Sequence, residues 1–220
     1  LTAVLTVLAI AVSTALFLGV EKVRTGARQS FADTISGTDL IVGARTGPVQ
    51  LMLYAVFRVG GATNNISMDS VRALGQHRAV AWVVPISLGD SHRGNAVMGT
   101  TPEYFTRFLY GDKQPLVLAK GRAFSGDLDG LYEAVLGADV ARTLGYSLGQ
   151  RITLTHGAGG PMSPEHADKP FTVVGVLART GTPVDRTVHV SLQAIEAIHL
   201  DWAGGAPVPG MTIAPELAGK

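Results

Sequence analysis

The feature that most constrains this chain is its first twenty residues, which contain no charged residue, histidine, asparagine, glutamine or proline. Eleven of these twenty are Leu, Val, Ile or Phe, and each contributes roughly −0.3 to −0.6 kcal/mol to insertion at a helix centre. The run therefore predicts a membrane-spanning helix. A cleaved signal sequence and a buried core helix are the alternatives, but the run is long for either and no small-x-small cleavage site follows it.

The helical pattern continues beyond this apolar run, since apolar residues recur every three or four positions at Val20, Val23, Ala27, Phe31 and Ile35. We therefore predict a stalk that leaves the membrane and ends at Gly37. The predicted transmembrane and stalk residues are Leu5, Leu8, Val12, Leu16, Val20, Val23, Gly26 and Phe31. Gly26 is the weak point of the stalk, because glycine inside a helix costs about 1 kcal/mol relative to alanine. The expected division is a transmembrane and stalk helix over 1–35 and a second domain over 36–220.

Charge and cysteine content exclude several function classes. The 18 basic and 17 acidic residues nearly balance and form no basic run, so we expect no nucleic-acid partner. The absence of cysteine excludes disulfides, thiolate catalysis and cysteine-ligated zinc or iron–sulfur sites. With 27 glycines and 11 prolines between runs of Val, Leu and Ala, the remainder is typical of a folded mixture of α and β structure.

Local patterns predict the secondary structure beyond the stalk. We expect strands at residues 39–43, 79–88, 95–100, 132–136, 151–155 and 171–177, and a last strand at 211–213. Helices are expected to begin at Pro48, Met68, Pro102, Gly137 and Ser191. We place a chain reversal at Gly89-Asp90 and an exposed, mobile loop over residues 157–169.

The histidines and acidic residues do not follow a recognised metal-binding spacing. None of the six histidines forms the i, i+4 pair that places two ligands on one helix face. The Asp127-Leu-Asp129-Gly130 segment lacks the alternating ligands and the distant glutamate of a calcium loop. We therefore predict surface histidines, with no metal site and no cofactor in this chain.

Catalytic motifs are also missing. Asp90-Ser91-His92 contains the three residue types of a hydrolase triad, but adjacent residues cannot converge as nucleophile, base and orienting group. The chain has no Gly-x-Ser-x-Gly segment. Its Gly219-Lys220 pair lacks the first glycine and the hydroxyl residue of a phosphate-binding loop. We predict a non-catalytic chain that does not itself bind ATP.

Several blocks after the apolar helix carry a family resemblance. They are Gly37-Thr-Asp-Leu-Ile-Val-Gly43, Lys120-Gly-Arg-Ala-Phe124, Glu133-Ala-Val-Leu-Gly137-Ala-Asp-Val-Ala141, Arg142-Thr-Leu-Gly145-Tyr-Ser-Leu-Gly149-Gln-Arg-Ile152 and Phe171-Thr-Val-Val-Gly175-Val-Leu. In this order the sequence resembles the periplasmic core domain of MacB/FtsX-like ABC transporter permeases, a group that includes the lipoprotein-releasing permeases. The resemblance covers nearly the whole chain, but the segment Pro161-Met-Ser-Pro-Glu-His166 has no counterpart in it.

The resemblance implies an α+β fold in which the transmembrane and stalk helix precedes a two-lobed mixed α/β periplasmic domain, with a porter-like lobe and a smaller lobe. It implies a permease with three further membrane helices and a cytoplasmic ABC ATPase, separate or fused, that binds the ATP. The expected partners are that ATPase, a second permease copy in a homodimer or a related permease, and a periplasmic adaptor or lipoprotein. The expected location is the bacterial inner membrane, with residues 36–220 in the periplasm.

Two other functions stay open at this point, a membrane-anchored periplasmic binding or sensing domain and, less well supported, a tethered hydrolase.

The orientation of the span in the membrane is a separate question. Lys22, Arg24 and Arg28 closely follow the span and by themselves favour a cytoplasmic side there, whereas the resemblance places the following domain in the periplasm.

Overall fold

The first element is a single long helix, α1 (Thr2–Thr34). At 1.5 Å per residue its 33 residues extend about 50 Å. The segment that could cross a membrane, Thr2–Gly26, has 25 residues, and none of its most apolar stretch is buried against the rest of the chain. The helix is therefore long and apolar enough to span a bilayer whose hydrocarbon core is about 30 Å thick. Its exposure rules out the alternative of a buried core helix.

The structure is a computed structural model that describes residues 2–60, 64–160, 163–203, 206–208 and 213, with the backbone alone at 27, 28, 30–33, 203, 206 and 207. The other helices are α2 (Pro48–Ala55), α3 (Met68–Gly75), α4 (Tyr104–Arg107), α5 (Ala138–Leu144) and α6 (Leu192–Ala197), with 3₁₀ turns at Leu128–Gly130 and Pro183–Arg186. The strands are β1 (Ile86–His92), β2 (Asn95–Thr100), β3 (Leu109–Tyr110), β4 (Gln114–Pro115), β5 (Leu118–Gly121), β6 (Glu133–Leu136), β7 (Arg151–Ile152), β8 (Thr155–His156), β9 (Phe171–Leu177), β10 (Thr187–Ser191), β11 (Trp202–Ala203) and β12 (Ala206–Pro207).

One eight-stranded mixed sheet organises the domain. Its strands lie in the order β5-β9-β6-β10-β2-β1-β8, and β7 also pairs with β9. Strand β10 runs parallel to β2 and antiparallel to β6, whereas β6 and β9 are parallel. In the described part of the chain, β3 pairs with β4 and β11 pairs with β12 as separate two-stranded sheets. The predicted class is confirmed, because an N-terminal apolar helix precedes a mixed α/β domain with a large sheet and small two-stranded ones.

Both faces of the central strands are buried, because successive side chains of a strand point to opposite faces. Val188 and Val190 of β10 belong to a core that includes residues of α5 and α6. Between them, the ring of His189 faces the other side and packs beside Tyr104 and Phe105, which belong to a second apolar core. The sheet therefore separates two apolar cores.

Several predicted elements are confirmed and others are wrong. Helix α3 and strand β9 occupy the predicted residues, and α6 begins after Ser191, whose hydroxyl accepts a hydrogen bond from Ala194 N. Residues 39–43 and 79–85 form no strand, because they pair with no other strand in the described structure. Leu40 there is 80% exposed. The predicted strand at 211–213 falls largely outside the described residues.

The predicted reversal at Gly89-Asp90 is also wrong. Strand β1 continues through these residues, and the hairpin with β2 turns at Arg93 and Gly94. Both turn residues have positive φ, 45° and 78°, as a tight two-residue hairpin of this kind requires. Sequence reasoning also missed β10, although this strand lies at the centre of the sheet.

Candidate functional site

Four ligand-type side chains meet at the β8 edge of the large sheet. Asp90 of β1 is the register partner of His156 of β8, since these two short stretches pair antiparallel. His166 follows in the loop after β8, and its backbone N–H donates to Leu154 O at 2.8 Å. His199 lies just beyond α6, which ends at Ala197. Four separate segments of the chain therefore bring an acidic group and three imidazoles together. We call these four residues the His/Asp cluster.

The distances within the cluster are short. His156 Nδ1 lies 3.0 Å from His199 Nε2, and Asp90 Oδ1 lies 3.3 Å from the first nitrogen and 3.5 Å from the second. One ligand atom from each of the four residues, including His166, lies within 4.8 Å of the others. The cluster can therefore present four nitrogen and oxygen atoms to one small central volume.

The cluster is partly enclosed. Asp90 and His166 are buried, with exposed fractions of 7% and 0%, whereas the His156 and His199 side chains keep 34% and 26% exposure. The Trp202 indole packs on one side, with its ring centroid 4.2 Å from that of His166. Solvent therefore reaches the cluster past His156 and His199, and the opposite side is closed.

The local environment shifts the pKa values of His166 and His199 in opposite directions. Burial, together with the charge of the neighbouring His199, lowers the pKa of His166 to about 4, so this imidazole is neutral at neutral pH. For His199, burial lowers the pKa, but the adjacent Asp90 carboxylate and the hydrogen bond to the Ile195 carbonyl raise it by more, and the net shift is upward.

The prediction of surface histidines is wrong for His92, His166 and His189, all of which are buried. The predicted exposure of the 157–169 loop is wrong at His166 and Lys169, because both residues are fully buried. Lys169 Nζ lies 2.9 and 3.0 Å from the carboxylate oxygens of Asp201 and 2.8 Å from Asp168 Oδ2. This ion pair anchors the end of the loop under the cluster.

The suspected triad does not form. Asp90 faces the His/Asp cluster, whereas His92 lies near Thr153 O and Tyr146 Oη, at 2.6 and 2.9 Å. The Ser91 hydroxyl has no hydrogen-bond partner among the described residues. The three adjacent side chains therefore have no common catalytic geometry, as their sequence spacing indicated.

The predicted transmembrane and stalk residues all lie on α1. Residues 2–20 are all exposed, as are Val23 and Gly26, and no atom lies within 4 Å of a Cβ built at Gly26. The side chain of Phe31 is outside the described part of the helix. The roles predicted for these residues in a membrane bundle therefore stay predictions.

An apolar groove of about 590 Å³ lies between the residues that follow α1 and the sheet. Its lining includes Ile41, Leu51, Tyr54, Trp82, Ile195 and Arg58. Two guanidinium nitrogens of Arg58, Nε and Nη1, are buried without a hydrogen-bond partner among the described residues. Burial lowers the pKa of this arginine. The groove thus places one cationic group in an apolar wall.

The sequence pattern of the MacB-like periplasmic core domain family matches residues 3–213. The chain belongs to this family. A comparison with curated proteins found no match. As a member of the MacB-like family, the chain is related to permeases of the ABC-transporter type, which are generally non-catalytic. The apolar helix and the periplasmic type of domain together indicate a membrane-anchored protein.

Sequence reasoning missed the His/Asp cluster because its members are far apart in the chain. His156 and His166 lie close together in the sequence, but no spacing joins them to Asp90 or His199. No local pattern around Asp90 distinguishes a strand from a turn, because Gly89, Asp90, Ser91 and His92 include no apolar side chain. A correct strand register would have placed Asp90 opposite His156.

Proposed function

We propose that this chain is part of a MacB/FtsX-type permease subunit whose periplasmic domain couples cytoplasmic ATP hydrolysis to movement of a substrate or partner in the periplasm. This movement would serve efflux of a substrate, or the handling of lipoproteins or envelope factors. The observation that carries this proposal, beside the family membership, is the uninterrupted helix that leads from the membrane span into the domain.

The helix has the form that a mechanical connection requires. Helix α1 continues for 33 residues without a break, through Gly26 and beyond the apolar segment. The residues after Gly26 add about 12 Å at 1.5 Å per residue. A continuous helix of this kind transmits a tilt or shift of the membrane bundle to its far end, as in rigid-body switching.

The far end of the helix is attached to the domain. Just after α1, Ser36 N donates to Leu109 O at 2.9 Å, as an isolated β-bridge to β3. Gly37 has a φ of +66°, and an added Cβ there would lie 3.1 Å from a methyl group of Leu109. Strand β3 directly follows α4, whose Tyr104 and Phe105 are buried in one of the two cores. Displacement of the helix end would therefore act on β3 and, through α4, on the sheet.

The proposed assembly follows from the family. An ABC ATPase, as a separate subunit or fused domain, would bind and hydrolyse ATP, and this chain would hold no cofactor of its own. A second permease copy, in a homodimer, or a related permease would complete the membrane unit. The proposed location is the bacterial inner membrane with residues 36–220 in the periplasm, where an adaptor or lipoprotein could bind.

The test is a proline substitution in the stalk of the full permease, reconstituted with its ATPase in lipid. Gly26→Pro removes one helical hydrogen bond and kinks the helix. We expect ATP hydrolysis to continue while the periplasmic domains no longer move with it. The matched control is Gly26→Ala, which meets no atom within 4 Å and restores a good helix former.

Movement can be measured without knowing the substrate. These 220 residues contain no cysteine, so a Leu128→Cys substitution at an exposed side chain places a single spin label in this domain of each permease copy, once any cysteines elsewhere in the permease are replaced. We expect an ATP-dependent change of the label-to-label distance in wild type and Gly26→Ala, and no change in Gly26→Pro. If Gly26→Pro shows the same ATP-dependent distance change as wild type, the proposed mechanical coupling through α1 is refuted.

The alternative function, a membrane-anchored binding or sensing domain, is favoured by the apolar groove with its unpaired Arg58 guanidinium nitrogens. Such a domain would need no ATPase. If the periplasmic domain stays in one conformation through the ATP cycle while an amphipathic anion quenches the nearby Trp82, the sensing function is supported instead.

A further inference from the structure

We propose that Asp90, His156, His166 and His199 form a binding site for one divalent transition-metal ion, with zinc the best match to the ligands. This site is additional to the proposed transport function and does not depend on it. The separations of the ligand atoms, their unsatisfied polar groups and the orientation of His199 support this site.

The separations match tetrahedral coordination. With zinc–nitrogen and zinc–oxygen bonds of about 2.0–2.1 Å, tetrahedral ligand atoms lie about 3.3–3.4 Å apart. The three atoms from His156, His199 and Asp90 are separated by 3.0, 3.3 and 3.5 Å. His166 supplies the fourth ligand from within the 4.8 Å limit that encloses the whole set, so a small side-chain movement completes the tetrahedron.

The buried members lack other partners. Asp90 Oδ1 and both ring nitrogens of His166 are buried and accept or donate no hydrogen bond among the described residues. Buried polar groups in folded proteins are normally satisfied, so groups left without partners at one point indicate a missing ligand. An ion at the centre of the cluster would satisfy the carboxylate oxygen and one nitrogen of His166 together.

His199 is oriented for ligation by a hydrogen bond at its other nitrogen. His199 Nδ1 lies 2.7 Å from Ile195 O, so this nitrogen carries the proton and donates it to the carbonyl. The Nε2 lone pair then points to the cluster, which is how histidine ligands of metals are commonly fixed. The tautomer that ligation requires is therefore already set by the last turn of α6.

The ligand chemistry selects the metal class. Three neutral imidazoles and one carboxylate carry a net charge of −1, which a divalent cation reverses. Imidazole nitrogen suits zinc, copper, nickel and cobalt, whereas calcium and magnesium prefer oxygen ligands. Four protein ligands leave no open position, which is typical of a structural site rather than a catalytic one. The ion would join β1, β8, the loop after β8 and the segment after α6.

The experiment uses the full chain without a histidine tag, purified in mild detergent and treated with a chelator. Zn²⁺ is titrated by calorimetry, and Co²⁺ is added separately because its visible absorption reports tetrahedral geometry. A Trp82→Phe background leaves Trp202 as the sole tryptophan, and its ring lies 4.2–5.6 Å from those of the three histidines. Quenching by Cu²⁺ then reports binding at the cluster itself.

We expect one Zn²⁺ per chain with a Kd of about 1 µM or tighter, a tetrahedral Co²⁺ spectrum, and a Tm that rises with added zinc. His166→Gln and Asp90→Asn should each weaken binding by about 100-fold or more and remove the zinc-dependent rise in Tm. The control His77→Gln removes an exposed histidine that is not part of the cluster, and this variant should bind zinc as wild type does. Far-UV circular dichroism of the metal-free variants checks their folding.

Two results would overturn the proposal. The first is wild-type protein that is folded but binds none of these ions more tightly than about 10 µM. The second is tight binding that both folded ligand variants retain, which would place the metal elsewhere.

Discussion

Acid sensitivity of the fold should be traceable to His189. This residue lies on β10, between β6 and β2 at the centre of the sheet, and its side chain is fully buried. Its Nδ1 lies 3.1 Å from Val135 O, to which it donates, and Nε2 has no partner among the described residues. Burial, opposed by the hydrogen bond to Val135 and assisted by the Arg58 charge, lowers the pKa of His189 to about 3. The ring is therefore neutral in the folded protein.

The size of the effect follows from the two protonation states. The unfolded chain takes up a proton at His189 with a pKa of about 6.5, whereas the folded chain does so only near pH 3. The stability contributed by the neutral ring is thus present above about pH 6.5 and is lost as the pH falls towards 3. Protonation of His189 in the unfolded chain lowers the free energy of unfolding by about 2 kcal/mol at pH 5, and by less than about 0.1 kcal/mol at pH 7.5.

The prediction concerns the His189→Leu variant, whose free energy of unfolding should gain about 2 kcal/mol relative to wild type between pH 7.5 and pH 5. The substitution also changes packing and removes the hydrogen bond to Val135, and these effects do not depend on pH. The difference between the two proteins at pH 7.5 therefore serves as the reference for the difference at pH 5. Urea unfolding of the full chain in mild detergent, followed by tryptophan fluorescence, measures both proteins at each pH. Other buried histidines titrate in both chains and cancel in the difference.

A neighbouring apolar variant provides the control. Val188→Ala removes buried methyl groups from the same strand and should lower stability by about 2 kcal/mol at every pH. If the pH profiles of wild type and His189→Leu are parallel, His189 does not stay neutral in the fold and the reasoning fails.

Two further predictions concern stability and use the same unfolding assay. Lys169→Met leaves the Asp201 carboxylate buried without its counter-ion and should lower the free energy of unfolding by about 3–5 kcal/mol. The double variant Lys169→Met with Asp201→Leu removes both charges and should lose less stability than the single variant. A larger loss in the double variant would contradict this prediction. Gly137→Ala places a Cβ 2.2 Å from Val184 O and should cost at least about 2 kcal/mol. Gly145→Ala, at an open position with φ +70°, should cost only about 1 kcal/mol, and equal losses would show that the backbone at Gly137 gives way.

Elements with a long or well-capped pattern could be predicted from the sequence. The long apolar run predicts α1, and the serine N-cap predicts the start of α6. The mostly apolar run over β9 predicts a buried strand without any knowledge of its neighbours. Strand β10 could not be found in this way, because it has only five residues and carries His189 in its middle. A buried histidine looks polar in a sequence, and only the surrounding aromatic rings explain why it lies inside the sheet.

The hairpin shows a second limit of local patterns. Gly89-Asp90 and Arg93-Gly94 are both acceptable turn sequences. The choice between them depends on pairing with β8 and β2, since continuing β1 through Asp90 gives both strands a partner. Sequence patterns therefore located the hairpin but not its turn, and this error of a few residues concealed the partner of His156.

The His/Asp cluster depends on this same register, and its place in the sheet argues for a structural function. Strand β8 has two residues and forms the edge of the sheet, so its short pairing with β1 and its single bridge from Thr155 to Glu165 hold it weakly. A metal bound by Asp90, His156, His166 and His199 would fasten that edge to segments more than a hundred residues apart in the chain, and closing long loops removes the most conformational freedom from the unfolded state. The apolar stacking of Trp202 on His166 already encloses one side. The proposed transmission of force from the membrane helix would require a sheet whose edge does not fray, and the cluster lies at the edge where fraying would begin.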